Sequence, residues 1–132
     1  MNLTDITPGT PLPRLELPPI SRTTLALFAG ASGDHNAIHI DLDVARSAGL
    51  DDVFAQGMLS MAYLGRLLTD LVPQERIRSW SVRFAAITPL GAAPVCRATV
   101  AAAEDGLATL ELAVTLADGT VTLAGTALVD IS

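Results

Sequence analysis

One stretch of this chain combines residue types and spacing that could do acid-base chemistry. Phe28-Ala29-Gly30-Ala31-Ser32-Gly33-Asp34-His35-Asn36-Ala37-Ile38-His39 sets a carboxylate, Asp34, and an imidazole, His39, five positions apart. Gly33, Asp34 and Asn36 tolerate unusual backbone angles and bond their own main chain, so the segment is expected to leave a helix and stay irregular. Neighbours on a helical face lie three or four positions apart, so a helix would not join these two side chains, whereas a compact loop could turn both toward one point. An imidazole that titrates near neutrality, beside a carboxylate, can share a water or a substrate proton. Local roles compete with that reading. Asp34 could close a turn or cap a helix, and His39 could be a partly buried histidine bonded to main chain. A metal pair of His35 and His39 would need the helix these residues disfavour, and no Cys, Glu or further His lies close by to complete it.

The elements that must position this loop follow from periodicity and breakers. In residues 1–19, Leu12, Leu15 and Leu17 allow one short strand, ended by Pro18-Pro19. Ser21 is an N-cap for a short helix over Arg22 to Ala29 that leads into Gly30 and delivers the Asp34 loop. Asp41 caps a second brief helix from Leu42 to Ala48, with Gly49 as its stop, expected to fold over the loop. From Met58 to Leu71, Met58, Met61, Ala62, Leu64, Leu67, Leu68 and Leu71 form a broad apolar face before Pro73. This predicts a central, largely wrapped helix of about 14 residues, roughly 21 Å long, with Met58 and Met61 in the core.

Beyond Arg76 the period drops to two: Arg78, Trp80, Val82 and Phe84 alternate with Ile77, Ser79, Ser81 and Arg83. Asp105-Gly106 and Asp118-Gly119 are hairpin signals joining strands over Val95 to Ala102, Leu107 to Leu116 and Thr120 to Ile131. Consecutive hairpins make an antiparallel sheet, and the whole predicts a single α+β domain, 1–132, with the sheet wrapped around the Met58 helix.

Composition narrows the function. A chain of 132 residues buries roughly two thirds of its unfolded surface in one core. With 50% hydrophobic residues it is expected to cover part of its apolar surface with a partner. The net charge of -6 argues against a basic nucleic-acid face. All eight basic residues are Arg, and Arg66, Arg83 and Arg97 are candidate phosphate contacts, against the commoner role of solvated or ion-paired charges. A single cysteine, Cys96, rules out an internal disulfide and fits a buried strand thiol. No apolar run reaches the roughly 20 residues of a spanning helix and no signal-peptide pattern opens the chain, so no membrane partner and a cytoplasmic location are expected.

Phe28, Gly33, Asp34, Asn36, Ile38 and His39, then Ala45 at a helix-like spacing, then Gly57, Met58 and Leu59 within Ala55-Gln56-Gly57-Met58-Leu59-Ser60, carry a family likeness. The chain resembles the MaoC-like (R)-specific enoyl-CoA hydratases and (3R)-hydroxyacyl-thioester dehydratases, over most of its length. It departs from their pattern at Ala37, where Pro is usual, at Gln56, where His often precedes the Gly, and at Gly65, where some relatives carry Ser. The resemblance implies a hot-dog fold paired through its sheets into a homodimer, or a heterodimer with a second hot-dog subunit. It implies a hydro-lyase that interconverts trans-2-enoyl and (3R)-3-hydroxyacyl thioesters of coenzyme A or acyl carrier protein, with no metal and no cofactor. Asp34 and His39 would be the catalytic pair and Asn36, Gly57, Met58 and Ser60 the substrate-binding positions. An acyl-CoA thioesterase, or a subunit of a heteromeric hot-dog dehydratase, stays open beside it.

Overall fold

The computed structural model describes residues 3–132; Met1 and Asn2, which the expected domain includes, lie outside the described residues. After a short strand β1 (Leu15–Glu16) come helices α1 (Arg22–Ser32), α2 (Leu42–Ser47) and α3 (Gly57–Leu71), then four long strands. These are β2 (Ile77–Phe84), β3 (Val95–Glu104), β4 (Leu107–Thr115) and β5 (Val121–Asp130). They form one antiparallel sheet in the order β1-β3-β4-β5-β2. Curled on one long helix, this is the expected hot-dog arrangement.

The two hairpins form where their Asp-Gly pairs predict. At the β3–β4 turn both Asp105 (φ 52°) and Gly106 (φ 74°) are left-handed, the twist-matched geometry of a tight hairpin. Alternate residues Cys96, Ala98 and Val100, Leu110, Leu112 and Val114, and Leu123, Ala127 and Val129 are buried. They pack against Leu64, Leu67 and Leu68 of α3 in one core. A second cluster, Ile20, Leu25, Ala45, Val53, Ala55 and Leu59, fastens α1 and α2 over the first turns of α3. That overhang carries the Asp34 loop.

Several details depart from the sequence reading. Helix α1 runs three residues past Ala29, because Gly30 is accommodated within it and the left-handed Gly33 (φ 78°), not Gly30, ends it. Helix α3 starts one residue early, at Gly57. It is covered by the sheet on one side only: Met58 is 52% exposed and not core, while Met61 is partly buried. In β2 the register shifts between Ile77 and Ser79. That bulge returns Ile77 to the face of Trp80 and Val82, where strict alternation puts it on the opposite side. Among the described residues no helix is long and apolar enough to cross a membrane.

Candidate active site

The loop between α1 and α2 holds itself in shape. Ser32 Oγ donates to the Phe28 carbonyl (2.7 Å) and accepts from the Asp34 N–H (3.2 Å). Asp34 Oδ1 accepts from the Asn36 N–H (3.3 Å), and Asn36 Oδ1 accepts from the Ile38 N–H (3.1 Å). Asn36 thereby caps a single 3-10 turn, Ala37–His39, which brings His39 back toward Asp34. The amide oxygen of Asn36 is thus spent inside the loop, and its side chain stands in an exposed residue. Asp41 Oδ1 caps α2 through the Asp43 and Val44 N–H groups, and α2 packs against the 3-10 turn.

Asp34 and His39 do converge. His39 Nε2 lies 3.8 Å from Asp34 Oδ2, with 9% of the histidine side chain exposed and 40% of the aspartate. That separation is too long for a direct hydrogen bond, but one water about 2.8 Å from each atom can bridge the two. The other ring nitrogen, Nδ1, is 2.7 Å from the carbonyl oxygen of Phe54. A carbonyl can only accept, so Nδ1 carries the proton and a neutral His39 keeps its lone pair on Nε2, facing Asp34. The Phe54 ring meets the imidazole edge-on, with centroids 4.8 Å apart and an interplanar angle of 78°. His35 is exposed and takes no part in the pair. Among the described residues no group of three His, Cys, Asp or Glu is placed to hold a metal ion.

The chain reaches α3 through Phe54, Ala55 and Gln56. Gln56 is fully buried, and its Nε2 donates to the Leu25 carbonyl (3.0 Å), which ties the α1 helix to the start of α3. Gln56 offers no side-chain cap to that helix; the Leu59 N–H turns back to the Gln56 carbonyl, and the Gly57 and Met58 N–H groups keep their donor capacity. Gly57 is exposed there. A Cβ at Gly57 would sit 3.1 Å from the Phe84 ring, so the missing side chain makes room for Phe84 as well as for any approaching ligand. Ser60 is buried (1% exposed), with its Oγ 3.3 Å from Thr88 Oγ1.

Two concavities flank this helix start. One, of about 340 Å³, is lined by Phe54, Gly57, Ser60, Phe84 and Thr88 among others. The other, of about 370 Å³, is lined by Phe28, Ser32, Asp34, Met58, Met61, Ala62 and Trp80. Asp34, Gly57, Met58 and Ser60 therefore all border open space around the head of α3. Arg66, Arg83 and Arg97 are exposed and on three different elements; Arg83 adjoins Phe84 at the first concavity. The Phe54 carbonyl, the Ser32 hydroxyl and Trp80 were not legible as site groups from the sequence. The first two act through main chain or local bonds, and Trp80 reads only as one more strand residue.

Comparison with known proteins places this geometry in context. The profile of a family described as "MaoC like domain" matches residues 5–122. A search of curated proteins finds no significant match. Among solved structures, the chain is similar to the (R)-hydratase from A. caviae involved in PHA biosynthesis. The TM-score is 0.85 and the identity 23%, covering 97% of this chain and 98% of that one. It is similar to R-hydratase PhaJ1 from Pseudomonas aeruginosa, with TM-score 0.88 and 22% identity, covering 98% of this chain and 84% of that one. A third similar structure is the ChsH1-ChsH2 complex from Mycobacterium tuberculosis, with TM-score 0.83 and 23% identity, covering 97% and 99%.

Proposed function

This chain belongs to the MaoC-like domain family, and from that premise we propose that it is a hydro-lyase acting, as a single domain of residues 1–132, on enoyl thioesters. It adds water reversibly to a trans-2-enoyl thioester of coenzyme A or acyl carrier protein to give the (3R)-3-hydroxyacyl product. The observation that carries this reading is the gap of 3.8 Å between His39 Nε2 and Asp34 Oδ2, with Nδ1 held by Phe54. It fits one water with both its protons directed at acceptors and its lone pairs turned outward. The hydratases among the structural neighbours support the same reaction class.

In this mechanism the thioester carbonyl makes the β-carbon electrophilic. The water oxygen bonds to that carbon, one of its protons passes to the Asp34/His39 pair, and the displaced electron pair gathers on the thioester oxygen. A proton from the pair then goes to the α-carbon, so one water is consumed and nothing else. The pair acts as a coupled unit. Charge on the thioester oxygen is met by the Gly57 N–H at the positive end of α3; one such donor is typically worth about 3 kcal/mol. Met58 and the buried Ser60 shape the flanking walls, and Asn36 contributes by bracing the loop.

The open edge of the sheet supports a paired assembly as part of this reading. β2 is an edge of the sheet, eight residues long, and an open strand edge of that length is a template for pairing. Its end carries Phe84, 51% exposed, beside Gly57. Pairing with a second copy, or with a related hot-dog subunit as in the ChsH1-ChsH2 complex, would cover it; light scattering of the purified chain separates the two.

The deciding experiment follows crotonyl-CoA with the isolated protein, reading loss of enoyl absorbance and release of free thiol together and determining product chirality. Absorbance loss without thiol, giving the (R) product, is expected. Thiol release would instead make the protein a thioesterase, and no change until a partner subunit is added would make it one half of a heteromeric enzyme.

A further inference from the structure

The concavity beside Asp34, about 370 Å³, is walled by Phe28, Met58, Met61, Ala62 and Trp80. Met61, Ala62 and Gly65 lie three, four and seven positions after Met58, so the four form a single stripe along α3. At the far end of that stripe Trp80, reaching across from β2, lies directly over Gly65. A Cβ at Gly65 would sit 2.9 Å from Trp80 Cη2 and 3.2 Å from Cζ3, so the indole can occupy this position only because residue 65 has no side chain. The indole Nε1 is buried without a hydrogen-bond partner. The ring is therefore held there by its fit to the helix and not by a polar bond.

We propose that Trp80, seated on Gly65, is the residue that limits the length of acyl chain this protein accepts. The inference rests on the enoyl-thioester reading above and specifies its substrate. With the reacting carbons at the Asp34 rim, the alkyl tail has an apolar groove to enter, along the Met58 stripe. Gly65 is seven residues beyond Met58, about 10 Å along the helix axis. The indole stands across the groove at that distance, so short tails fit and longer ones collide with it.

The test measures kcat/KM for crotonyl-, trans-2-hexenoyl-, trans-2-octenoyl- and trans-2-decenoyl-CoA in the wild type, Trp80→Leu, Trp80→Phe and Gly65→Ala. Trp80→Leu is expected to raise the octenoyl-to-crotonyl ratio about tenfold or more, the scale at which added methylenes are discriminated in apolar pockets. Trp80→Phe should shift it in the same direction and less. Gly65→Ala, which pushes the indole off the helix toward the groove, is expected to lower the hexenoyl-to-crotonyl ratio. Parallel changes at every length in all three variants would overturn the proposal while leaving the hydratase reading intact. A second readout needs no turnover and no variant at position 80. The chain has one tryptophan, so its emission reports on this ring directly. Titrating the wild type with butyryl- and hexanoyl-CoA is expected to shift that emission saturably, with no shift from free coenzyme A. Acyl-CoA binding by calorimetry with unchanged emission would overturn the proposal, whatever becomes of the hydratase activity.

Discussion

The Nδ1 atom of His39 lies 2.7 Å from the carbonyl oxygen of Phe54, fifteen residues along the chain, and that bond determines what the other face of the ring can do. With the Nδ1 proton committed to a main-chain acceptor, a neutral imidazole presents a lone pair at Nε2, 3.8 Å from Asp34 Oδ2. In that form the pair is set to accept from a common donor and not to bond each other.

Asp34→Asn keeps an oxygen that can accept from the Asn36 N–H and removes only the charge. Hydration of crotonyl-CoA is expected to fall by about 10² to 10⁴ in kcat/KM, with the urea midpoint nearly unchanged because this side chain is 40% exposed. His39→Ala should match that loss and also cost about 1 kcal/mol of stability, since it strips the part-buried Phe54 carbonyl of its partner. Steady-state kinetics with urea titration checks both; full turnover in the two variants would end the proposed mechanism.

Gln56→Glu is nearly isosteric but replaces the donor that meets the Leu25 carbonyl with a second acceptor at a fully buried site. The variant is expected to lose at least about 3 kcal/mol at neutral pH. Burial raises such a carboxyl's pKa, so stability should recover as pH falls and the group is neutralised. Urea melts across the acid range test this, and a pH-independent midpoint would contradict it.

Cys96 should resist modification in the native protein. Burial pushes its thiol up to about 11, with Arg66 pulling weakly the other way, and only the thiolate reacts. A disulfide-exchange reagent near neutral pH is expected to label Cys96 at the rate of unfolding alone. The sign of the linkage also follows: the folded state holds this proton more tightly than the unfolded one. Its contribution to stability is present below the ordinary value of 9.0 and lost as pH climbs toward 11. Melting temperatures that rise over that interval in the wild type relative to Cys96→Ala would refute the assignment.

Gly125 in β5 faces the backbone of β2, where an added Cβ would collide with the Ser81 carbonyl oxygen and crowd Val82 Cα. The obstacle is main chain, so nothing flexible is there to give way. Gly125→Ala is expected to destabilise the fold by several kcal/mol, or to yield insoluble protein, whereas Gly30→Ala, with open space around it, should fold normally. Thermal denaturation of the two variants side by side provides the check.

Much of this molecule was legible in the sequence because the signals are local. Ser21 and Asp41 cap the helices they were expected to cap, the Asp-Gly pairs turn the hairpins, and the α3 apolar face meets the sheet. Met58 was misread as core because periodicity tells which residues share a face of a helix, not whether a second layer covers it. Ile77 was placed on the wrong side of β2 because one extra residue at a bulge inverts every assignment before it.

The sequence by itself determined the chemistry available and the loop that holds it: a carboxylate and an imidazole, joined by residues that bond their own backbone over two or three positions. Only the tertiary structure decided which nitrogen of His39 is free, what stands over Gly57 and Gly65, and how α1 is tied to α3. Those depend on Phe54, Phe84, Trp80 and Gln56, whose partners lie from 15 to 31 residues away. At such separations no backbone preference links the two positions. Their meeting is set by the close packing of helix against sheet, which has one solution only when the whole chain is present.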